Sequence, residues 1–106
     1  MDAREAAALI ATAVEGRGVL AANALHFVRD PARVLAQLVE RVRPGGRVIL
    51  VEYDGRAASR WVPYPIQRAV LPELAAGAGL TSPAITATRP SRYGGVLYVA
   101  AMDRVG

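Results

Sequence analysis

Residues 18–54, GVLAANALHFVRDPARVLAQLVERVRPGGRVILVEYD, hold the pattern that decides the fold. Val19–Asn23 is a short apolar run that follows a Glu15-Gly16-Arg17-Gly18 turn, and it reads as a strand. Asp30 is placed to cap free backbone N–H groups, and Pro31 suits the first position of a helix. Val34, Leu35, Leu38, Val39 and Val42 then form one apolar stripe, with Arg33, Gln37 and Arg41 opposite it. Arg41 and Arg43 fall where cations complement the helix dipole, and Pro44-Gly45-Gly46 ends the helix after residue 43. Arg47–Tyr53 is β-branched and mostly apolar without alternation, as in a parallel strand covered on both faces. Strand, helix and strand in this order form a βαβ unit with a right-handed crossover.

Working outward, residues 3–14 place Ala6, Leu9, Ile10, Ala13 and Val14 on one helical stripe. On the other side, residues 54–65 read as a loop carrying Trp61, Pro63, Tyr64 and Pro65. A helix is expected over 66–78, with Pro72 starting a second segment or a kink and Gly79 in the left-handed region after its end. Residues 82–89 and 96–102 read as strands joined by Pro90–Gly95 in an antiparallel hairpin. The fold class is α/β: a parallel βαβ unit, then a helix and an antiparallel strand pair.

A chain of 106 residues makes a single domain, here 1–106. No run of about 18 apolar residues is present, which argues against a membrane span. The first ten residues carry acids and no basic region of a secretory signal. The lack of cysteine excludes disulfides and thiolate metal sites and fits a reduced, cytoplasmic compartment. Net charge is +4, but all thirteen basic residues are arginines spread from Arg4 to Arg104. A nucleic-acid surface clusters its cations and interleaves aromatics, so a solvated surface is the better reading.

Ligands of open parallel sheets bind beyond the carboxyl ends of the strands. Asn23 ends the first strand here and Glu52-Tyr53-Asp54 the second, so all face one crevice. Glu52 and Asp54 read first as turn-forming, solvated acids, and second as groups that orient or deprotonate a substrate, a role Tyr53 shares. His26 is the one conventional base near neutral pH. It has no partner at a telling spacing, so packing and helix entry rank above catalysis for it. Trp61 and Tyr64 read as anchors pinning their loop, ahead of a lid over substrate. No GxGxxG, Walker loop, HExxH or GxSxG occurs, and no metal site is expected.

The order of these pieces resembles the second half of class I S-adenosylmethionine-dependent methyltransferases. The matching pieces are Ala22-Asn23, Ala24-Leu25-His26-Phe27, the helix from Pro31, Arg43-Pro44-Gly45-Gly46, Arg47–Tyr53, the WVPYP loop, LAAGAGL and PSRYGGVLYVA. They span about residues 18–102. The resemblance implies a partial Rossmann-like sheet lacking the first three strands, S-adenosylmethionine as cofactor, and a small-molecule methyl acceptor. Asp2-Ala3 matches the remainder of the family's adenine-contacting motif, and Ala22 and Asn23 fall beside the methionine part of the cofactor. The family's glycine-rich loop and ribose-holding acid have no counterpart here. Without the neighbour that normally lies beside it, strand 19–23 becomes an apolar edge, an invitation to a second copy or a partner chain. That opens an alternative: an inactive, truncated homologue working as a dimer or partner-binding module.

Overall fold

Five strands form one sheet in the computed structural model, which describes residues 12–13, 18–22, 25–92 and 94–105. They are β1 (Thr12–Ala13), β2 (Gly18–Ala22), β3 (Arg47–Asp54), β4 (Ala84–Pro90) and β5 (Val96–Asp103), in the spatial order β1-β2-β3-β5-β4. Among these residues two α-helices, α1 (Pro31–Glu40) and α2 (Leu71–Gly77), connect them. β2 and β3 are parallel, with Val19 beside Val48 and Ala21 beside Leu50. β5 pairs antiparallel with β3 and with β4. The α/β class, the βαβ unit and the closing antiparallel pair are therefore as the pattern predicts.

The core lies on one face of the sheet. Val19, Ala21, Val48, Leu50, Tyr98, Ala100 and Met102 project to that face and join Val34, Leu35, Leu38 and Val39 of α1 and Leu71 and Ala75 of α2 in one buried cluster. Alternate residues of β3 and β5 (Ile49, Val51, Val99 and Ala101) are only half-buried, and Leu20 is exposed. β3 is thus not covered alike on both faces, because both described helices pack on the same side. Its continuous apolar run conceals a two-residue alternation.

Local chemistry sets the element ends. Asp30 accepts a hydrogen bond from the Arg33 N–H at 3.3 Å, and Pro31 opens α1 as expected. α1 stops at Glu40 rather than 43, and no cation lies in its last turn. Arg104, just past β5, supplies that cation instead: its guanidinium donates to the carbonyls of Val39, at 3.2 Å, and of Val42. The helix expected over 66–78 divides at its proline, a 3₁₀ turn over Arg68–Val70 leading into α2. Gly79 follows with φ +80°, the left-handed end predicted for it.

Two expectations are corrected on the β2 side. Thr12 and Ala13 are strand residues, not the end of a helix running to 14; residues 1–11 lie outside the described part of the chain. These two residues pair antiparallel with β2, Thr12 opposite Leu20 and Ala13 opposite Val19. The edge of strand 19–23 is therefore occupied along Val19 and Leu20, and that stretch offers no free ladder to a second chain.

Candidate active site

The parallel strands β2 and β3 end side by side, Ala22 opposite Val51, and the chain turns off the sheet at both points. After β2 it forms a 3₁₀ turn over Leu25–Phe27, which carries His26 over the end of β3. After β3 it enters the long loop 55–67. Glu52 points inward beneath that turn and is completely buried, and His26 is nearly so.

These two residues form one unit. The His26 backbone N–H donates to Glu52 Oε1 at 3.2 Å, and His26 Nδ1 lies 2.8 Å from Oε2. A carboxylate accepts only, so this network assigns the proton to Nδ1 and leaves Nε2 as the lone-pair nitrogen. Burial pushes the Glu52 carboxyl above the usual range, while His26 and the backbone of Leu25 pull against that shift. Glu52 is thus not the solvated turn acid its strand-end position implies. His26 does have a carboxylate partner, one that lies 26 residues along the chain.

Tyr98 sits opposite Glu52 across the β3–β5 ladder, on the same inner face. Its hydroxyl donates to the Ile66 carbonyl at 2.7 Å and so ties β5 to the loop. Burial, and then the carboxylates of Glu52 and Asp54, drive its phenol far above its ordinary pKa. Sequence reading passed over Tyr98, although it is the single polar side chain in the apolar run 96–101, at an inward-facing position.

Asp54 works as a structural clamp. Its Oδ1 accepts from the Arg68 N–H at 2.9 Å and its Oδ2 faces Arg68 Nε at 3.2 Å, so it caps the 3₁₀ turn from outside the turn. Gln67 completes the clamp, accepting from the Gly55 N–H at 2.6 Å and donating to the Arg56 carbonyl at 3.1 Å. Tyr53 points to the other face of the sheet end, with its ring 5.7 Å from that of His26 and the Arg56 guanidinium 4.5 Å above it. The structure therefore brings His26, Glu52 and Tyr53 together and commits Asp54 to the loop. Ala22 is exposed at the end of β2; Asp2, Ala3 and Asn23 lie outside the described residues.

The loop is anchored differently from what its aromatics imply. Val62 and Ile66 are the buried pins, whereas Trp61 is 72% exposed. Tyr64 is held by its backbone, which donates to the His26 carbonyl at 3.0 Å. Among the described residues, no helix is long and apolar enough to cross a membrane.

No protein-family model and no curated protein matches this sequence. Solved structures do match, several methyltransferases among them. The O-methyltransferase NcsB1 of neocarzinostatin biosynthesis, solved with S-adenosylhomocysteine and 1,4-dihydroxy-2-naphthoic acid, is 25% identical over 84% of this chain, with a TM-score of 0.58. The Burkholderia thailandensis 1,6-didemethyltoxoflavin N1-methyltransferase, solved with 1,6-didemethyltoxoflavin and S-adenosylhomocysteine, matches 100% of the chain at 19% identity and a TM-score of 0.69. The mitomycin 7-O-methyltransferase MmcR matches 99% at 16% identity and a TM-score of 0.61. This chain spans 29%, 49% and 33% of those three chains respectively.

Proposed function

We propose that this chain, which has the fold of part of an S-adenosylmethionine-dependent methyltransferase, serves methyl transfer to a small-molecule acceptor. The observation that carries the reading is the buried His26–Glu52 pair at the end of two parallel strands, where α/β sheets bind their ligands. The solved structures support it, since NcsB1 and the didemethyltoxoflavin enzyme were both captured with S-adenosylhomocysteine and a small-molecule ligand.

The residues present fit one wall of a cofactor site. β2 ends in Ala21-Ala22, with Ala22 exposed and its side chain no larger than a methyl group. Ala22 and Asn23 would border the methionine part of S-adenosylmethionine, and Asp2 and Ala3 the adenine. The bound cofactor supplies an electrophilic methyl group. The chain's own residues supply proton handling and orientation. With Nδ1–H held by Glu52, His26 presents Nε2 as a base for an acceptor hydroxyl or amine. Glu52 acts through His26: it fixes the tautomer, orients the ring, and stabilises the imidazolium once the proton has moved. Tyr53 flanks the same ring and fits a positioning role, whereas Asp54 is occupied with Arg68.

Calorimetric titration with S-adenosylhomocysteine tests the reading. Saturable heat at or below millimolar ligand is expected, and its absence would overturn cofactor use by this chain. In a methyl-transfer assay, His26→Gln should lower kcat by a factor of about 10² or more. A rate unchanged in the variant would remove His26 from the mechanism.

A further inference from the structure

Glu52 takes the ring and the backbone N–H of His26, but the third polar group of that residue is held from elsewhere. The His26 carbonyl accepts from the Tyr64 N–H at 3.0 Å. Two residues further along the loop, the Ile66 carbonyl accepts from the Tyr98 hydroxyl at 2.7 Å. Tyr98 in turn lies directly across the β3–β5 ladder from Glu52. The contacts therefore close on themselves: Glu52 to His26, His26 to Tyr64, along the chain to Ile66, Ile66 to Tyr98, and across the sheet back to Glu52.

The linking segment Tyr64-Pro65-Ile66 suits a stiff strut. Pro65 fixes its own φ at about −65° and confines Tyr64 before it to extended backbone. One end of the segment is bonded to His26 and the other to Tyr98, and the Ile66 side chain is buried in the core cluster.

Loop closure does not account for the Tyr98 hydroxyl. Gln67 already joins the loop to Gly55 and Arg56, and Asp54 holds Arg68. A phenylalanine would fill the same buried space without the cost of burying an oxygen. What the oxygen adds is direction, because it fixes where the Ile66 carbonyl sits. We propose that Tyr98 is a positioning residue for His26: through the strut, its hydroxyl fixes the backbone of the Leu25–Phe27 turn and so the direction in which Nε2 faces. Glu52 sets which ring nitrogen carries the proton, and Tyr98 sets where the free one stands. The use of that placement in methyl transfer rests on the function proposed above; the strut itself does not require the cofactor.

Tyr98→Phe keeps the ring in the core and removes one oxygen. In the cofactor-free chain, the Tyr64 amide should exchange its hydrogen about tenfold faster, while the amides of Val48 and Leu50 keep their rates. The ring-nitrogen resonances of His26, recorded at alkaline pH, should move from the single Nδ1–H tautomer toward a mixture, because a shifted turn takes Nδ1 off the Glu52 carboxylate. In a methyl-transfer assay kcat should fall about tenfold, with KM for the acceptor changed by no more than about twofold. Pro65→Gly loosens the strut without touching the core and should reproduce the resonance shift, so it decides the question if Tyr98→Phe fails to fold. Leu80→Ala, a cavity at the far end of the sheet beside Arg104, lowers stability and should leave the His26 resonances in place. Unmoved His26 resonances in the folded strut variants, or an equal shift in Leu80→Ala, would overturn the proposal. Shifted resonances in a chain whose parent transfers no methyl group would uphold the strut and sink the proposed function. An active Tyr98→Phe variant with unchanged kcat would do the reverse.

Discussion

His26 engages Glu52 twice, through its backbone N–H and through its ring, so one carboxylate holds both the turn after β2 and the side chain that the turn presents. A ring held only by its own torsion angles would rotate about χ2. Here the second bond is made by the same backbone segment, so rotation of the ring and movement of the turn are coupled. The arrangement costs the burial of a carboxyl group, offset by the amides and imidazole that meet it.

That burial has a pH signature. The folded-state pKa of Glu52 is raised above its ordinary 4.5, chiefly by desolvation. Its contribution to stability is therefore full below about pH 4.5 and falls as pH rises through the folded value. Relative to the parent, Glu52→Gln should gain stability over that same rise and then level off. Urea unfolding of both proteins from pH 4 to 8 measures the difference, and a slope of the opposite sign would show that His26 outweighs burial.

Removing the other partner is costlier. His26→Ala leaves the Glu52 carboxyl buried without its ring partner, and about 3–5 kcal/mol should be lost at pH 7. The double variant His26→Ala/Glu52→Leu should recover part of that loss, since no charge is then stranded. Non-recovery in chemical denaturation would point to packing of the imidazole as the main contribution.

Arg104 ties the end of the sheet to the end of α1. Arg104→Ala should cost about 1–2 kcal/mol by freeing the carbonyls of Val39 and Val42. Faster amide hydrogen exchange confined to the last turn of α1 would locate the effect. Exchange raised evenly through the core would contradict it.

The two glycines of the β4–β5 hairpin differ in a way substitution can read. A Cβ on Gly95, at φ +68°, would sit 2.3 Å from the Asp54 carbonyl oxygen, whereas one on Gly94, at φ +103°, would meet nothing within 4 Å. Gly94→Ala should show the backbone cost alone, about 1 kcal/mol, and Gly95→Ala roughly 1–3 kcal/mol more. Equal thermal midpoints for the two variants would refute the close approach.

Much of the fold was legible because its determinants are local. Asp30 and Pro31 start α1 through atoms within three residues of each other, Pro72 divides its helix through a missing N–H, and Gly79 adopts a conformation that other residues resist. The site was less legible. Glu52 and Asp54 stand two apart on one strand with the same charge, and no local signal separates a buried partner of His26 from an exposed cap for Arg68. Strand alternation places both on the face of Val48 and Leu50, so what separates them is the turn over Leu25–Phe27, which closes over Glu52 and not over Asp54. Even that alternation is hard to read in the sequence, because the apolar outer-face residues Ile49 and Val51 hide it.

By itself the sequence determined the βαβ unit, the start of its helix and the antiparallel close, because hydrophobic period, caps and turn residues act over a few positions. The tertiary structure alone decided that Glu52 meets His26, that Arg104 rather than Arg41 or Arg43 serves the end of α1, that Thr12–Ala13 lines β2, and that Trp61 faces solvent. Each of these depends on register and on which face packs inward, and those are settled only when segments far apart in the chain compete for the same buried space.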